Sequence, residues 1–217
     1  MAAAAFILIA YLIGSLSFAV MVSRALGLPD PRSYGSGNPG ATNVLRTGKK
    51  LAALLTLAGD GGKGWFAVFL AARYAGDYGA SDTVIAACAV AVFLGHLFPV
   101  FLRFKGGKGV ATAGGVLLAF DPWLGLAGLA TWVAVAWVSR YASLASVVAA
   151  VGAPVLALFM SLPLGTVPAL ILIAAATVWR HRSNMRNLVA GRERRIGEKE
   201  GPGKASDPFS EHRQGPT

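Results

Sequence analysis

The sequence predicts an all-α, polytopic membrane protein with about seven transmembrane helices, with the N-terminus outside and the C-terminus in the cytoplasm. Of the 217 residues, 55% are hydrophobic and only 14% are charged, whereas a soluble domain carries about 25% charged residues. The mean hydropathy is +0.58. The apolar residues form long runs, and nearly all basic residues lie between alternate runs. Composition, run length and charge distribution therefore agree on one fold class.

Seven apolar runs are candidate spans, since a helix needs about 20 residues to cross a bilayer. They are Ala4–Val22, Leu51–Tyr74, Asp82–Leu102, Val110–Phe120, Trp123–Val138, Leu144–Met160 and Leu164–Trp179. No basic residue precedes the first run and no clear cleavage site follows it, so we expect a span rather than a signal peptide. A polar, glycine-rich segment interrupts the second run. The short fourth run ends at Asp121-Pro122, and Pro163 marks the boundary between the last two.

The basic residues give the orientation. All of the 20 Lys and Arg residues except Lys63 and Arg73 fall in alternate loops or in the C-terminal tail. Cytoplasmic loops carry the excess of these residues, so a small-molecule site should face the cytoplasm. Merging the two short central spans would place the later loops on the wrong side, which favours seven spans over six. The net charge of +10 then reflects topology and some attraction to anionic lipid. No nucleic-acid partner is expected, because no aromatic-basic binding module is present.

We expect one transmembrane domain over residues 1–196, followed by a tail from 197 to 217 that is rich in Gly, Pro and Ser and is expected to be disordered. The single cysteine, Cys88, lies in a predicted span, so the chain can form no internal disulfide. No Cys/His zinc pattern is present. We expect neither a metal nor another cofactor.

The first predicted cytoplasmic loop contains a glycine-rich string from Gly35 to Arg46. Asn38 and Pro39 have the residue types of a helix N-cap and first helical residue, and the free N–H groups that follow would suit an anion. Asn43 and Arg46 are three residues apart and would share a helix face. A plain glycine-rich turn with an arginine at the membrane edge explains the composition equally well.

The loop between the third and fourth spans combines glycines with lysines. Gly106, Gly107 and Gly109 would let the backbone approach a ligand, and successive N–H groups can bind an anion. Lys105 and Lys108 add positive charge. The string lacks the G-x-x-x-x-G-K-[ST] pattern of a P-loop, which excludes that class of ATPase. The alternative is a flexible basic loop that serves topology only.

The end of the last span carries a third segment that is compatible with phosphate. His181 and Asn184 are three residues apart and would share a helix face, although the arginines around them also fit an interfacial basic cap. Asp60 and Lys63 lie in a predicted span, where burying an ionisable side chain costs free energy and usually indicates a functional role. A structural ion pair between them is nevertheless the favoured interpretation. His96 is expected to be packed and hydrogen-bonded rather than catalytic.

Five strings resemble the acyl-phosphate:glycerol-3-phosphate acyltransferase family of bacterial membranes. They are Gly35–Arg46, Asp60–Gly64, Gly95–Thr112, Arg140–Leu144 and His181–Glu193. The resemblance runs from about the first span to about Glu193. It implies a multi-pass protein of the bacterial inner membrane, with residues 1–196 as the catalytic domain.

The resemblance also implies the reaction. The 1-hydroxyl of glycerol 3-phosphate would attack the carbonyl of a fatty acyl phosphate, giving lysophosphatidic acid and inorganic phosphate in the first step of phospholipid synthesis. No acyl-enzyme is implied, in agreement with the position of Cys88 in a span and the lack of a G-x-S-x-G string. The H-x-x-x-x-D string of the other glycerophosphate acyltransferase family is also missing.

Site residues follow from their positions in the matching strings. The expected catalytic residues are Ser36, Arg46, Lys105, His181 and Asn184. The expected substrate- and phosphate-binding residues are Ser143, Gly106, Gly107, Lys108, Gly109, Asn38, Thr42 and Asn43. Arg46 and Lys105 would bind phosphate, and either His181 or the substrate's own phosphate would accept the proton.

Two other classes compete with an enzyme. A transporter of organic anions would use polar residues at depth, but it needs a site near the midplane with paths to both sides. The motif residues instead lie at the predicted cytoplasmic interface, and the outer loops are short. A receptor or scaffold has no need for three segments compatible with phosphate. The sequence therefore favours the enzyme.

Overall fold

The computed structural model describes residues 1–79, 81–163 and 165–198, and every regular element within these ranges is helical. The ten α-helices within these ranges are α1 (Ala2–Gly14), α2 (Phe18–Ala25), α3 (Ala41–Val44), α4 (Lys50–Tyr74), α5 (Asp82–Leu97), α6 (Val110–Phe120), α7 (Pro122–Ser139), α8 (Ala142–Ala157), α9 (Thr166–Arg180) and α10 (Arg182–Val189). Short 3-10 helices occur at Leu45–Thr47, Gly76–Tyr78 and Val100–Leu102. The all-α prediction is confirmed.

The first predicted span is two helices that meet at a bend of 43°. The break lies between α1 and α2, where the Ser15 hydroxyl donates to the carbonyl of Tyr11 at 2.9 Å, a local bond that favours bending. Lys63 of α4 donates from Nζ to the carbonyl of Leu16 at 2.5 Å. A carbonyl freed by the break is thus bound by a charged side chain from another helix.

The polar segment that interrupts the second apolar run does not break the helix, because α4 runs unbroken through 25 residues. Its glycines are points of close helix contact. A Cβ added at Gly59 would lie 2.1 Å from the Phe18 ring, and one added at Gly64 would lie 2.3 Å from the carbonyl oxygen of Thr112. Small residues let membrane helices approach closely. This packing against α2 and α6 outweighs the low helix propensity of glycine.

Helices α1 and α5 pack together in the same way. A Cβ added at Gly14 would lie 2.1 Å from the carbonyl oxygen of Val92, and one added at Gly95 would lie 2.3 Å from that of Tyr11. Phe93 and Leu97 of α5 are fully buried beside this contact. The end of α5 is therefore fixed against α1, and the loop that follows α5 starts from a rigid position.

The later helices begin and end close to the predicted limits. α6 has the predicted bounds. α7 begins at Pro122 because Asp121 Oδ1 accepts the N–H groups of Trp123 and Leu124 at 2.7 and 3.0 Å. The predicted third span, Asp82–Leu102, comprises α5, which ends at Leu97, and the 3-10 helix that follows Pro99. Leu164, the predicted start of the last span, lies outside the described residues.

Two stretches, Asp82–Leu102 and Pro122–Ser139, are long and apolar enough to cross a membrane, and the bent α1–α2 pair makes a third if it counts as one span. The apolar helices α6, α8 and α9 are shorter, with 11, 16 and 15 residues. Seven spans and the orientation of the termini stay predictions. The structure describes only Gly197 and Glu198 of the predicted disordered tail, and residues 199–217 lie outside it.

Candidate active site

The first loop is organised by the side chain of Asn43, which is buried. Its Nδ2 donates to the carbonyls of Pro31 and Tyr34 at 2.7 and 3.2 Å. Its Oδ1 accepts the N–H of Ser36 at 3.0 Å. Asn43, predicted as a binding residue, therefore fixes the backbone on which Ser36 is presented.

The helix expected at Asn38 and Pro39 begins later, so that prediction is wrong. α3 starts at Ala41 and its N-cap is Gly40 in extended conformation. The N–H of Gly40 donates to the carbonyl of Asn38 at 2.9 Å, which closes a tight turn where a first helical turn was expected. Asn38 lies half-buried in that turn, and Thr42 is exposed on α3.

Gly35 lets the Arg46 side chain pack against the backbone of the first loop. Its φ is +58°, and a Cβ added there would lie 2.3 Å from Asn43 Oδ1 and 3.1 Å from Arg46 Nη1. Asn43 and Arg46 thus share a face, as their spacing predicts, and that face covers Gly35. Only glycine allows both the left-handed backbone and this contact.

The glycine loop, defined as residues 106–109, packs on the end of α5. A Cβ added at Gly106 would lie 2.1 Å from the carbonyl oxygen of His96, and one added at Gly107 would lie 2.3 Å from His96 Nε2. The same Cβ at Gly107 would lie 3.1 Å from the carbonyl oxygen of Pro39, so the first loop and the glycine loop are in contact. Gly109 has a φ of +78° and lies against the Phe93 ring.

Arg180 binds the glycine loop from the end of α9, although the motif strings do not mark it as a site residue. Its Nη2 donates to the carbonyls of Gly106 and Gly107 at 2.7 and 2.8 Å, and its Nε donates to the latter at 3.1 Å. These bonds fix the orientation of two peptide planes. The one signal in the sequence is that Arg180 directly precedes His181.

Four side chains, Lys108, Ser143, Asn184 and Glu193, form what we term the loop cluster. Lys108 Nζ donates to Asn184 Oδ1 at 2.5 Å. Glu193 Oε1 accepts from Asn184 Nδ2 at 2.8 Å and from the Ser143 hydroxyl at 2.6 Å. The sequence predicts no role for Glu193. The feature that could have drawn attention to it is its negative charge within a basic segment.

The segment that carries Glu193 is held on the turn between α7 and α8. The N–H of Ile196 donates to the carbonyl of Arg140 at 2.7 Å. The guanidinium of Arg195 lies 5.7 Å from the centre of the Tyr141 ring, a cation–π contact. These contacts bring Glu193 to Ser143 at the start of α8.

His181 follows α9 and is 2% exposed. Its Nδ1 donates to the carbonyl of Thr177 at 2.9 Å, which leaves Nε2 as the acceptor atom of the ring. Burial, together with the charges of Lys108 and Arg180, lowers the pKa of His181 to about 4, although Thr177 and Glu193 act in the opposite direction. The imidazole is therefore neutral at neutral pH.

Three cations lie on the segments that meet at this site. Burial lowers the pKa of Lys108, and the positive charges of Arg180 and Arg46 lower it further, while Glu193 raises it. Arg46 from the first loop, Lys108 from the glycine loop and Arg180 from α9 thus act on the same region. Such an arrangement suits a ligand with several negative charges.

A second polar group, Asp60, Lys63, His96 and Thr112, forms what we term the buried network. Lys63 Nζ lies 2.8 Å from Asp60 Oδ1. The Thr112 hydroxyl lies 3.0 Å from the Asp60 carbonyl oxygen and 3.2 Å from His96 Nδ1. All four residues are at most 7% exposed. The predicted Asp60–Lys63 ion pair and the predicted packed, hydrogen-bonded His96 are both confirmed.

The structure brings some of the predicted site residues together and leaves others apart. Lys108 bonds to Asn184, Glu193 links Asn184 to Ser143, and the charge of Lys108 acts on His181. Ser36 and Lys105 are exposed in their loops, where a ligand in solution can reach them. Among the residues that the structure describes, no group of three or more His, Cys, Asp and Glu residues could hold a metal ion.

The chain matches the family described as Glycerol-3-phosphate acyltransferase over residues 4–191. A glycerol-3-phosphate acyltransferase of Cupriavidus pinatubonensis is 61% identical over 194 residues, covering 89% of this chain and 96% of the relative. One of Thiobacillus denitrificans is 60% identical over 193 residues, covering 88% and 95%.

The solved structure of PlsY (YgiH), an integral membrane glycerol 3-phosphate acyltransferase, is also similar. Its glycerol 3-phosphate form superposes with a TM-score of 0.84 at 37% identity, covering 91% of this chain and 96% of that one. Its lysophosphatidic acid form gives 0.83 at 36% identity, with the same coverage. This chain therefore belongs to the glycerol-3-phosphate acyltransferase family of integral membrane proteins.

Proposed function

We propose that this acyltransferase takes its acyl group from a fatty acyl phosphate and transfers it to the 1-hydroxyl of glycerol 3-phosphate. The products are lysophosphatidic acid and inorganic phosphate, in the first step of bacterial phospholipid synthesis. The observation that carries the proposal is that the loops bearing Arg46 and Lys108 meet at Pro39 and Gly107, where Arg180 binds the glycine loop next to His181. The forms in which PlsY was solved support it, since they are the acceptor and the product of this reaction.

The proposed chemistry requires positioning and charge stabilisation more than a strong base. The hydroxyl oxygen attacks the acyl carbonyl carbon, the bond from that carbon to the phosphate oxygen breaks, and phosphate leaves with the electron pair. Arg46 and Lys105 bind phosphate, and Ser36 donates a hydrogen bond. A histidine with a pKa of about 4 is a weak base, which favours the departing phosphate as proton acceptor. His181 and Asn184 then orient the glycerol phosphate.

We place the acyl chain in an apolar groove of about 640 Å³ between α1 and α5. The groove extends along α1 from Ala4 to Tyr11 and ends at Phe98. There the Tyr11 hydroxyl donates to the Phe98 carbonyl at 2.6 Å. The next residue, Pro99, packs on Gly106 of the glycine loop. A chain in this groove would have its reactive end towards the glycine loop, whose Gly106 carbonyl is bound by Arg180.

The proposed topology has seven spans in the bacterial inner membrane, with the active site and the C-terminus in the cytoplasm and residues 1–196 as one catalytic domain. The chain's one cysteine, Cys88, is fully buried, so single-cysteine labelling can test the orientation. In intact cells an impermeant maleimide should label Tyr78→Cys, which replaces a side chain that is 68% exposed, but not Lys49→Cys. The reverse pattern would overturn the orientation.

The reaction is tested with the purified protein in detergent or lipid. Glycerol 3-phosphate is supplied first with palmitoyl phosphate and then with palmitoyl-CoA, while phosphate release and lysophosphatidic acid are measured. Product from acyl phosphate alone, abolished by Arg46→Ala or Lys105→Ala but retained in Lys49→Ala, is the expected result. If a folded protein makes no product from either donor, the proposal fails. Uptake of glycerol 3-phosphate into liposomes would then favour a transporter.

A further inference from the structure

His96 lies directly beneath the glycine loop and contacts it through both its backbone and its ring. Its carbonyl accepts the N–H of Gly107 at 3.2 Å. A Cβ added at Gly106 would lie 2.1 Å from the same carbonyl oxygen, and a Cβ added at Gly107 would lie 2.3 Å from the ring Nε2. The two glycines therefore rest on His96 without a gap.

The buried network fixes the ring of His96. Its Nδ1 is 3.2 Å from the Thr112 hydroxyl and 3.5 Å from Asp60 Oδ1. Asp60 is paired with Lys63, which in turn binds the carbonyl of Leu16 at the break between α1 and α2. Helices α4 and α6, together with the break between α1 and α2, thus fix the position of this imidazole on α5, and through it the position of the glycine loop.

We propose that His96 is a positioning residue for phosphate binding, and that the buried network exists to hold its ring against Gly107. This inference rests on the proposed function and on the phosphate-binding role that the resemblance implies for Gly106, Gly107 and Gly109. His96 is 7% exposed and lies behind the loop, so it acts on substrate through the loop rather than by contact. A change at His96 should raise the KM for glycerol 3-phosphate more than it lowers kcat.

A double-mutant cycle tests this role, because the two glycines meet different atoms of His96. Gly107→Ala places a methyl against the ring, whereas Gly106→Ala places one against the backbone carbonyl. Gly107→Ala should raise the KM for glycerol 3-phosphate at least ten-fold. Adding His96→Ala should bring that KM back down at least three-fold, since the ring that clashes is removed. The same addition to Gly106→Ala should bring no recovery.

Two further variants guard against loss of folding. His96→Asn is a smaller truncation that keeps a polar group near Thr112, and Thr112→Val removes only the hydroxyl that contacts His96. Each should raise the KM several-fold with the thermal unfolding midpoint near that of the wild type. The matched control is Thr56→Val, at a buried residue of α4 one turn before Asp60. It should leave the KM for glycerol 3-phosphate unchanged.

The outcomes separate this proposal from the proposed function. If the wild type shows no acyl transfer, the proposed function fails. If the wild type is active but the effects of His96→Ala and Gly107→Ala are simply multiplicative, His96 does not position the loop. Equal recovery of Gly106→Ala and Gly107→Ala would also overturn the proposal, because it would indicate general loosening.

Discussion

The loop cluster and the buried network both adjoin the glycine loop, but they are held in different ways. The buried network joins α4, α5 and α6, and its Asp60 and Lys63 side chains are 3% and 2% exposed. The loop cluster joins the glycine loop, the start of α8, α10 and the segment after it, and Asn184 and Glu193 are only half-buried. Each group contains one lysine, one carboxylate and one hydroxyl.

This difference in burial distinguishes side chains that support the fold from side chains that can bind a ligand. A charge buried between helices cannot lose its partner without a large free-energy cost. A half-buried lysine can exchange one oxygen partner for another while water screens the change. The loop cluster therefore suits a site where Lys108 passes between Glu193, Asn184 and a substrate phosphate. The buried network suits a fixed support.

The largest expected effect is on the buried network. Asp60→Leu removes the carboxylate and leaves Lys63 as a buried, unpaired charge, which costs about 3–5 kcal/mol of the free energy of unfolding. We expect little folded protein, or a much lower thermal midpoint in detergent. The double variant Asp60→Leu/Lys63→Met should recover most of the loss, because no buried charge remains. A single variant as stable as the wild type would contradict the comparison.

The next effect is on activity. Lys108→Met removes a charged donor from the loop cluster, and we expect kcat/KM for glycerol 3-phosphate to fall about 10²- to 10³-fold with little change in the thermal midpoint. Lys49→Met, at an exposed lysine of the first loop, should change neither quantity. If Lys108→Met instead unfolds the protein as Asp60→Leu does, the two clusters do not differ in kind.

A smaller effect concerns pH and His181, beside the loop cluster. The pKa of this imidazole is lowered from 6.5 to about 4, chiefly by burial, so between these values the unfolded chain binds more protons than the folded one. The free energy of unfolding should therefore fall as the pH is lowered through this window. Thermal midpoints measured across it should decline less in His181→Gln. Equal slopes in both proteins would contradict the assigned environment.

The smallest effect concerns the acyl chain and leaves both clusters intact. Ala4→Trp fills the far end of the groove between α1 and α5, while Ala5→Trp, outside the groove lining, is the matched control. Each methylene excluded from the groove costs about 0.8 kcal/mol, or about four-fold in binding. The KM for palmitoyl phosphate should rise while that for decanoyl phosphate stays constant. Equal rises for both donors would place the chain elsewhere.

Local patterns in the sequence determined much of the fold. The limits of α6 and the start of α7 follow from one apolar run and from Asp121-Pro122, because capping depends on neighbouring residues only. The Asp60–Lys63 pair follows from the cost of burying either charge alone. The spacing of Asn43 and Arg46 correctly placed both on one face. The segments that would form the site were also evident, since glycines and basic residues cluster in them.

Only the tertiary structure decided which backbones approach one another. The glycines of α4 interrupt its apolar run but not the helix, since they pack against Phe18 and α6, and the break lies instead at Ser15–Ser17. Arg180 and Glu193 enter the site because α9 ends beside the glycine loop and because a later segment folds back onto Arg140. Such contacts join residues distant in sequence, and no local periodicity or propensity encodes them.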